Sequence, residues 1–145
     1  MKFENYMILE FPSRSSNEAF ARSAVACFAT QMDPTLEELG DIRTAVSEAV
    51  TNCIVHAYRD VTGKIEMLMR IYDDDTFYIK IKDKGCGIED VKKAMEPMFT
   101  TRPDEERSGL GFIVMESFMD TLKVRSTLGK GTSVIMTKRI GKDEE

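Results

Sequence analysis

Apolar side chains recur at every second position on both sides of an acidic run, Asp73-Asp74-Asp75, and this pattern constrains the fold more than any other. A period of two is typical of strands that bury one face, and the aspartates favour a turn between them. The sequence therefore predicts a β-hairpin whose buried positions are Ile65, Met67, Met69 and Ile71 on one strand and Phe77, Ile79 and Ile81 on the other.

A second hairpin is predicted near the end of the chain, with strands around 122–126 and 133–138 joined through Gly129-Lys130-Gly131. Alternation at Met7, Leu9 and Phe11 indicates an opening strand before the first helix. Because helical segments separate these strands, we expect an α+β fold. The predicted architecture is a two-layer sandwich of mainly antiparallel sheet with helices on one face.

The first helix is predicted to start at a capping box formed by Ser15 and Glu18 and to end near Gln31. Arg22 lies well away from the apolar face of this helix. That face is predicted to consist of Phe20, Ala24, Cys27 and Phe28.

The second helix is longer and is predicted to begin at Asp33-Pro34, because a carboxylate can cap free amides and proline is tolerated in the first turn. Its helical periodicity continues through Tyr58. Two further helices are predicted, a short one near 91–95 and another that starts near Gly111. The apolar face of the second helix contains Ile42, Val46, Ala49, Val50, Cys53 and Ala57.

The bulk composition favours one cytoplasmic domain that spans residues 1–145. With 42% hydrophobic and 31% charged residues, the chain has the balance of a globular protein, and its net charge of −5 disfavours direct nucleic-acid binding. Cys27, Cys53 and Cys86 form no CxxC pair and indicate reduced thiols. The longest apolar run is much shorter than the roughly 20 residues that a membrane span needs, so no membrane association is expected.

Three polar residues, Glu48, Asn52 and His56, follow one another at four-residue intervals on the second helix, roughly opposite its apolar face. Three such residues alone are most often a solvated helix face. If these residues form a functional site, the Asn52 oxygen would ligate Mg²⁺ and the Glu48 carboxylate would accept a proton from an attacking hydroxyl or water. His56 would shape the pocket or pack locally.

Three glycine-containing turns follow the second helix. Asp83-Lys84-Gly85-Cys86-Gly87 closes a predicted strand, where the glycines would let the backbone pass close to a flat ligand and Asp83 would accept a hydrogen from an adenine amino group. Arg107-Ser108-Gly109-Leu110-Gly111 opens a predicted helix, and such a helix start attracts anions. Gly131-Thr132 offers a hydroxyl near the second hairpin turn. Each turn by itself is also explained by ordinary turn chemistry or a flexible loop.

A polar connection from Pro97 to Arg107 contains Thr100 and Thr101 and is of the length that often forms a lid or binding loop. We expect this segment to close over a nucleotide.

Together, Glu48-x-x-x-Asn52, Asp83-x-Gly85-x-Gly87, Gly109-x-Gly111 and Gly131-Thr132 resemble the N box and three glycine boxes of the GHKL ATPase family, named for gyrase, Hsp90, histidine kinases and MutL. The resemblance implies the Bergerat fold with bound ATP or ADP and Mg²⁺. It also implies the nucleotide-site residues, which are Asn52 as metal ligand with Asp83, Gly85, Gly87, Thr100, Ser108, Gly109, Gly111 and Thr132.

Within that family the chain is similar to the sporulation anti-sigma F factors through the segments 47–52, 99–101 and 106–109. This similarity implies a homodimer that holds a sigma-F factor and phosphorylates an anti-anti-sigma protein on serine. Glu48 would be the catalytic base, Arg107 the γ-phosphate sensor and Arg22 the residue that meets both partners. The alternatives are a stress-pathway anti-sigma serine kinase and an ATP-clamped binding module without phosphotransfer.

Overall fold

The computed structural model describes residues 2–96 and 111–141, in which five antiparallel strands form one sheet with helices on one side. The strand order is β1-β2-β3-β5-β4. The predicted α+β sandwich is therefore confirmed. The strands are β1 (Phe3–Pro12), β2 (Lys64–Tyr72), β3 (Thr76–Asp83), β4 (Thr121–Thr127) and β5 (Gly131–Arg139), and the helices are α1 (Glu18–Ala29), α2 (Leu36–Asn52), α3 (Val91–Ala94) and α4 (Gly111–Phe118).

Both predicted hairpins are present. Ile71 pairs with Phe77 across the first turn, where Asp75 takes the left-handed conformation with φ of 68°. Thr127 pairs with Gly131 across the second turn. Every second residue of β2 and β3 is buried, which explains the period of two, because these side chains face the helices.

The predicted start of α1 was wrong, and of the predicted buried face only Phe28 is buried. A 3-10 turn occupies 15–17, and the Glu18 carboxylate bonds to the Arg22 side chain instead of capping the helix. Phe20 is 66% exposed, whereas small residues make up most of the buried face. Small side chains let α1 and α2 approach each other closely. Packing of these residues against α2 therefore stabilises the fold more than burial of the Phe20 ring would. The buried residues of α1 are Ala21, Val25, Ala26, Phe28 and Ala29.

Helix α2 begins two residues later than predicted and has a different cap. Thr35, not Asp33, is the capping residue: its side chain accepts a bond from the Glu38 N–H, and the Glu38 carboxylate bonds back to the Thr35 N–H. Asp33 instead has a left-handed backbone with φ of 53°. The predicted apolar face is confirmed from Ile42 to Cys53, all buried, and Ala57 is partly buried.

Past Asn52 the helix widens into a π-helical turn over Cys53–Ala57, which ends at the Tyr58 N–H bonded to the Cys53 carbonyl at 3.0 Å. In a π-turn each N–H bonds to the carbonyl five residues earlier, which shifts the direction of the side chains that follow. His56 therefore does not continue the α-helical side-chain alignment that relates Glu48 to Asn52, although it follows Asn52 by four residues.

The buried apolar residues form one cluster between the sheet and helices α1, α2 and α4. Phe77, Ile42, Met115 and Met136 are among the largest fully buried side chains. Among residues 2–96 and 111–141, every helix is too short or too polar to span a lipid bilayer.

Candidate active site

A cavity of about 430 Å³ lies where the end of α2, the end of β3 and the start of α4 meet. Asn52, Asp83, Gly87, Gly111 and Thr132 all line it, although they come from four separate parts of the chain. The structure thus brings together one representative of each predicted motif. A volume of this size is typical of small-ligand sites in proteins.

Asp83, the last residue of β3, lies on the wall of this cavity and is only 5% exposed. Its Oδ1 accepts hydrogen bonds from the backbone N–H groups of Gly85, at 2.9 Å, and Thr132, at 3.2 Å. Its Oδ2 accepts from the Cys53 thiol at 3.5 Å, which is a weak bond. The carboxylate is therefore held in one orientation, with acceptor capacity left on Oδ2 for a ligand donor.

Burial raises the pKa of Asp83 above its ordinary value of 3.8, while the donated bonds from Gly85, Cys53 and Thr132 oppose that rise. Burial also raises the pKa of the Cys53 thiol well above its ordinary value, and the nearby Asp83 charge adds to that rise. Cys53 thus stays protonated and acts as a donor to the carboxylate.

The residues that hold the Asp83 turn in place were not predicted from the sequence, apart from the position of Cys53 on the α2 apolar face. The Tyr58 hydroxyl donates to the Lys64 carbonyl and accepts from the Lys84 N–H, both at 2.6 Å. It therefore fastens the end of the π-turn to the start of β2 and the residue after β3.

A second fixed group lies at the β4–β5 end of the cavity. The Ser126 hydroxyl accepts from the Ile88 N–H at 2.7 Å and lies 2.8 Å from the Thr132 hydroxyl. Ser126 was not predicted as a site residue. It connects the glycine turn after β3 to Thr132, so the two predicted motifs share one hydrogen-bond network.

Gly85 and Gly87 are required by close backbone approaches. A Cβ at position 85 would lie 2.3 Å from the Ala57 carbonyl oxygen, and one at position 87 would lie 2.3 Å from the Thr127 carbonyl oxygen. Gly87 also has φ of 78°, which L side chains rarely adopt. Gly85 packs against the end of α2 rather than against the cavity, so its role here is to seat the turn.

The polar oxygens of Glu48 and Asn52 converge on Gly111, the first residue of α4. A Cβ at this position would lie 3.3 Å from Glu48 Oε1 and 3.4 Å from Asn52 Oδ1. Glycine therefore keeps a space open beside two oxygen donors of the kind that Mg²⁺ prefers. In the described part of the chain, no group of three or more His, Cys, Asp or Glu residues is placed to hold a metal ion. A cation at this position would be coordinated by few protein oxygens, and other ligands would complete its coordination shell.

Glu48 and Arg22 do not line the cavity. They lie together in a separate groove, where Arg22 bonds to Glu18 at 2.8 Å and the Ser47 hydroxyl donates to the same carboxylate. Arg22 is thus separated from the predicted nucleotide residues that line the cavity, and its contact with the partners stays a prediction.

His56 lines the cavity. Four predicted site residues lie outside the described residues, together with the rest of the predicted lid: Thr100, Arg107, Ser108 and Gly109.

Much of the cavity wall is apolar, which the motifs did not predict because single apolar residues carry no motif signal. An apolar wall with one oriented carboxylate suits a flat heteroaromatic ring that has an exocyclic amino group. The apolar residues include Ile88, Met95, Phe112, Ile113, Leu128 and Val134.

Comparison with known proteins gives the same picture. A family model described as the histidine kinase-like ATPase domain matches residues 11–138. A protein named anti-sigma F factor from Caldanaerobacter subterraneus subsp. tengcongensis is 58% identical over 143 residues, with 99% of both chains covered. An anti-sigma F factor from Clostridium acetobutylicum is 52% identical over 142 residues, with 98% of this chain and 99% of that one covered.

A solved structure of RsbU and RsbW domains from Mycobacterium tuberculosis superposes with a TM-score of 0.71 at 16% identity, over 98% of this chain and 34% of that chain. At this identity the likeness is evidence for the fold alone. The family model covers most of the chain, and the curated relatives share more than half of its residues over nearly its whole length. The chain belongs to the histidine kinase-like ATPase domain family and, within it, to the family of anti-sigma F factors.

Proposed function

We propose that this chain is an anti-sigma F factor that acts as an ATP-dependent serine protein kinase in the cytoplasm, with residues 1–145 as one domain. The names of its relatives support the anti-sigma role. The observation that carries the kinase role is the convergence of Glu48 Oε1 and Asn52 Oδ1 beside Gly111, at the edge of a cavity with Asp83 in its wall.

In this proposal the apolar wall would hold the adenine ring of ATP or ADP, and Asp83 would accept a hydrogen bond from its amino group. Gly87, Gly111 and Thr132, which line the same cavity, would contact the nucleotide. The family resemblance adds Thr100, Ser108 and Gly109 as the residues that would bind the phosphates and Arg107 as the γ-phosphate sensor. Asn52 would ligate Mg²⁺, which would neutralise phosphate charge and help to align the γ-phosphoryl group.

Glu48 acts on the acceptor. As the seryl oxygen forms its bond to the γ-phosphorus and the bond between that phosphorus and the ADP oxygen breaks, the seryl proton passes to the Glu48 carboxylate. Glu48 is half-buried and one helical turn from Asn52, so its carboxylate lies within reach of a hydroxyl that approaches from the groove side.

The protein partners in this proposal are a sigma-F factor, which the chain holds as a homodimer while ATP is bound, and an anti-anti-sigma protein that accepts the phosphate on serine. Arg22 contacts both partners. Its guanidinium is kept in position by Glu18 on the outer surface of α1, away from the nucleotide cavity. The net charge of −5 supports protein partners over direct nucleic-acid contact.

The proposal is tested with Glu48→Gln, which keeps the side-chain shape but cannot accept the proton. We expect Mg-ATP affinity within about twofold of the wild type and phosphotransfer to a serine-bearing anti-anti-sigma protein slower by roughly 10²–10⁴-fold, the usual contribution of a general base. Glu37→Gln, an exposed carboxylate on the same helix, is the matched control and should transfer at the normal rate.

Radiolabelled ATP and mapping of the phosphorylated residue measure the outcome. If the wild type binds Mg-ATP and sigma factor but transfers no phosphate, the chain is an ATP-clamped binding module. If Glu48→Gln transfers at the wild-type rate, Glu48 is not the base.

A further inference from the structure

The row of inward-facing side chains at the cavity end of β3, β5 and β4 is polar. The next row along the same strands is apolar and consists of Ile81, Val134 and Val124. In the polar row Asp83 pairs with Thr132, and Thr132 pairs with Ser126. Asp83 and Thr132 line the nucleotide cavity, but Ser126 does not. Ser126 can therefore act on a bound nucleotide only through its neighbours.

The Ser126 hydroxyl lies within hydrogen-bond distance of three groups. It accepts from the Ile88 N–H at 2.7 Å. It also lies 2.8 Å from the Thr132 hydroxyl and 3.1 Å from the Gly131 carbonyl oxygen. Because a hydroxyl has one proton to donate, Ser126 donates either to Thr132 or to Gly131. This choice decides what the Thr132 hydroxyl offers to a ligand in the cavity.

The two arrangements give the Thr132 hydroxyl opposite roles. When Ser126 donates to Gly131, Thr132 donates to Ser126 and has only acceptor lone pairs left for a ligand. When Ser126 donates to Thr132, the Thr132 proton is available to a ligand acceptor. The donors then run in one direction from the Ile88 N–H through Ser126 to Thr132, and hydrogen bonds in such a series strengthen one another. A ligand with an acceptor beside Thr132 therefore selects this second arrangement.

We propose that Ser126 is a positioning residue of the nucleotide site, which makes the Thr132 hydroxyl a donor to a ring nitrogen of adenine. Asp83 would accept from the adenine amino group, and the ring nitrogens N1 and N7 are acceptors on either side of that group. The Thr132 N–H donates to Asp83 Oδ1 at 3.2 Å, which keeps the two residues adjacent. This assignment rests on the proposed nucleotide binding and adds a residue that acts on the base through Thr132.

A purely structural role is the alternative, because Ser126 also holds Ile88 and with it the turn that contains Gly87. Loosening of that turn would weaken the binding of all adenine nucleotides alike, since it does not depend on one ring nitrogen. The positioning role instead predicts an effect that depends on which nitrogen the base carries. The two explanations therefore differ in a ratio of affinities.

Isothermal titration with ADP, 1-deaza-ADP and 7-deaza-ADP measures this ratio, because each analogue replaces one of the two nitrogens with a C–H group. We expect one analogue to bind the wild type about tenfold more weakly than ADP, since the Thr132 donor is left unpaired. Ser126→Ala should weaken ADP binding about fivefold and reduce the discrimination against that analogue to about twofold. Ser126→Thr keeps the hydroxyl and should restore both values.

Thr121→Ala is the matched control. The Thr121 and Thr137 hydroxyls form the same kind of pair, 2.6 Å apart, at the opposite end of β4 and β5. This variant should change neither the ADP affinity nor the discrimination. Thr132→Val should lose the discrimination, and adding Ser126→Ala to it should not change the ratio further.

Three results would overturn the positioning role and leave the nucleotide site standing. Ser126→Ala weakens ADP and both analogues by the same factor, or it affects binding no more than Thr121→Ala, or neither analogue binds the wild type more weakly than ADP. If the wild type does not bind ADP at all, the positioning role and the proposed nucleotide site fail together.

Discussion

Replacing Asp83 with asparagine should abolish tight nucleotide binding without weakening the fold. The amide oxygen would take the place of Oδ1, because that position accepts the Gly85 and Thr132 N–H groups at 2.9 and 3.2 Å. The amide NH₂ would then replace Oδ2 and turn a donor towards the adenine amino group. Loss of a hydrogen bond to a charged acceptor costs about 2 kcal/mol, or roughly thirtyfold in Kd, and the two facing donors add to that loss.

The raised pKa of Asp83 also predicts how Asp83→Asn changes the free energy of unfolding. Folding raises the pKa of Asp83, so the protonated side chain contributes to the free energy of unfolding. This contribution is fully present below pH 3.8 and is lost as the pH rises through the folded pKa. At neutral pH the wild type therefore carries a buried carboxylate at a cost, and Asp83→Asn should be at least as stable. The same raised pKa means that wild-type nucleotide affinity falls, on acidification, at a higher pH than an ordinary aspartate would give.

Isothermal titration with ADP, together with urea unfolding of the nucleotide-free protein at several pH values, measures both effects. Asp74→Asn is the matched control, since Asp74 accepts the Thr76 N–H at 3.2 Å at the opposite end of β3. Wild-type ADP affinity in Asp83→Asn would refute the assignment of Asp83 as the adenine acceptor. A large loss of stability at neutral pH would refute the reasoning about its buried charge.

Two further predictions concern the metal and the glycine turns. Asn52→Ala should lower nucleotide affinity roughly tenfold in Mg²⁺ but leave it nearly unchanged in EDTA, and titrations in both buffers check this; equal losses in the two would remove Asn52 from the metal site. Gly87→Ala should destabilise the fold by more than Gly129→Ala in urea unfolding. Both positions have positive φ, with a strain of about 1 kcal/mol, but only at Gly87 does the new Cβ also meet a backbone carbonyl, that of Thr127 at 2.3 Å. Similar losses for the two alanine variants would contradict the close approach at Gly87.

The sheet and its order of elements were predictable because strand alternation is a local signal. Ile65 to Ile71 and Phe77 to Ile81 show the period of two directly, and the intervening aspartates specify the turn. The apolar face of α2 was equally clear, since its residues recur over four helical turns. Both patterns depend only on residues close in sequence, so they can be recognised without knowing which helix or strand packs against the segment.

The faces of α1 were not predictable in the same way. A large residue such as Phe20 gives a stronger local hydrophobic signal than Ala21 or Ala29, yet the two alanines are fully buried and Phe20 is exposed. Which side faces inward depends on how near α2 comes, and that distance is set by the small residues of both helices. The cap of α2 was missed for a different reason, because Thr35 and Glu38 have the capping-box spacing in the sequence, but the Asp33-Pro34 start signal was given more weight.

The predicted motifs converge because backbone bonds join them, and this link was beyond the reach of motif spacing. The π-turn after Asn52 ends with the Ala57 carbonyl accepting the Cys86 N–H at 2.9 Å, and the Cys86 carbonyl accepts the Gly129 N–H at 2.7 Å. The end of α2, the turn after β3 and the β4–β5 turn thus form one hydrogen-bonded series through backbone atoms alone. Since backbone bonds do not depend on which side chain each position carries, cysteine is accommodated at position 86 within a glycine box. For the same reason these three walls are already positioned before a nucleotide arrives, so binding does not have to supply the free energy of ordering them.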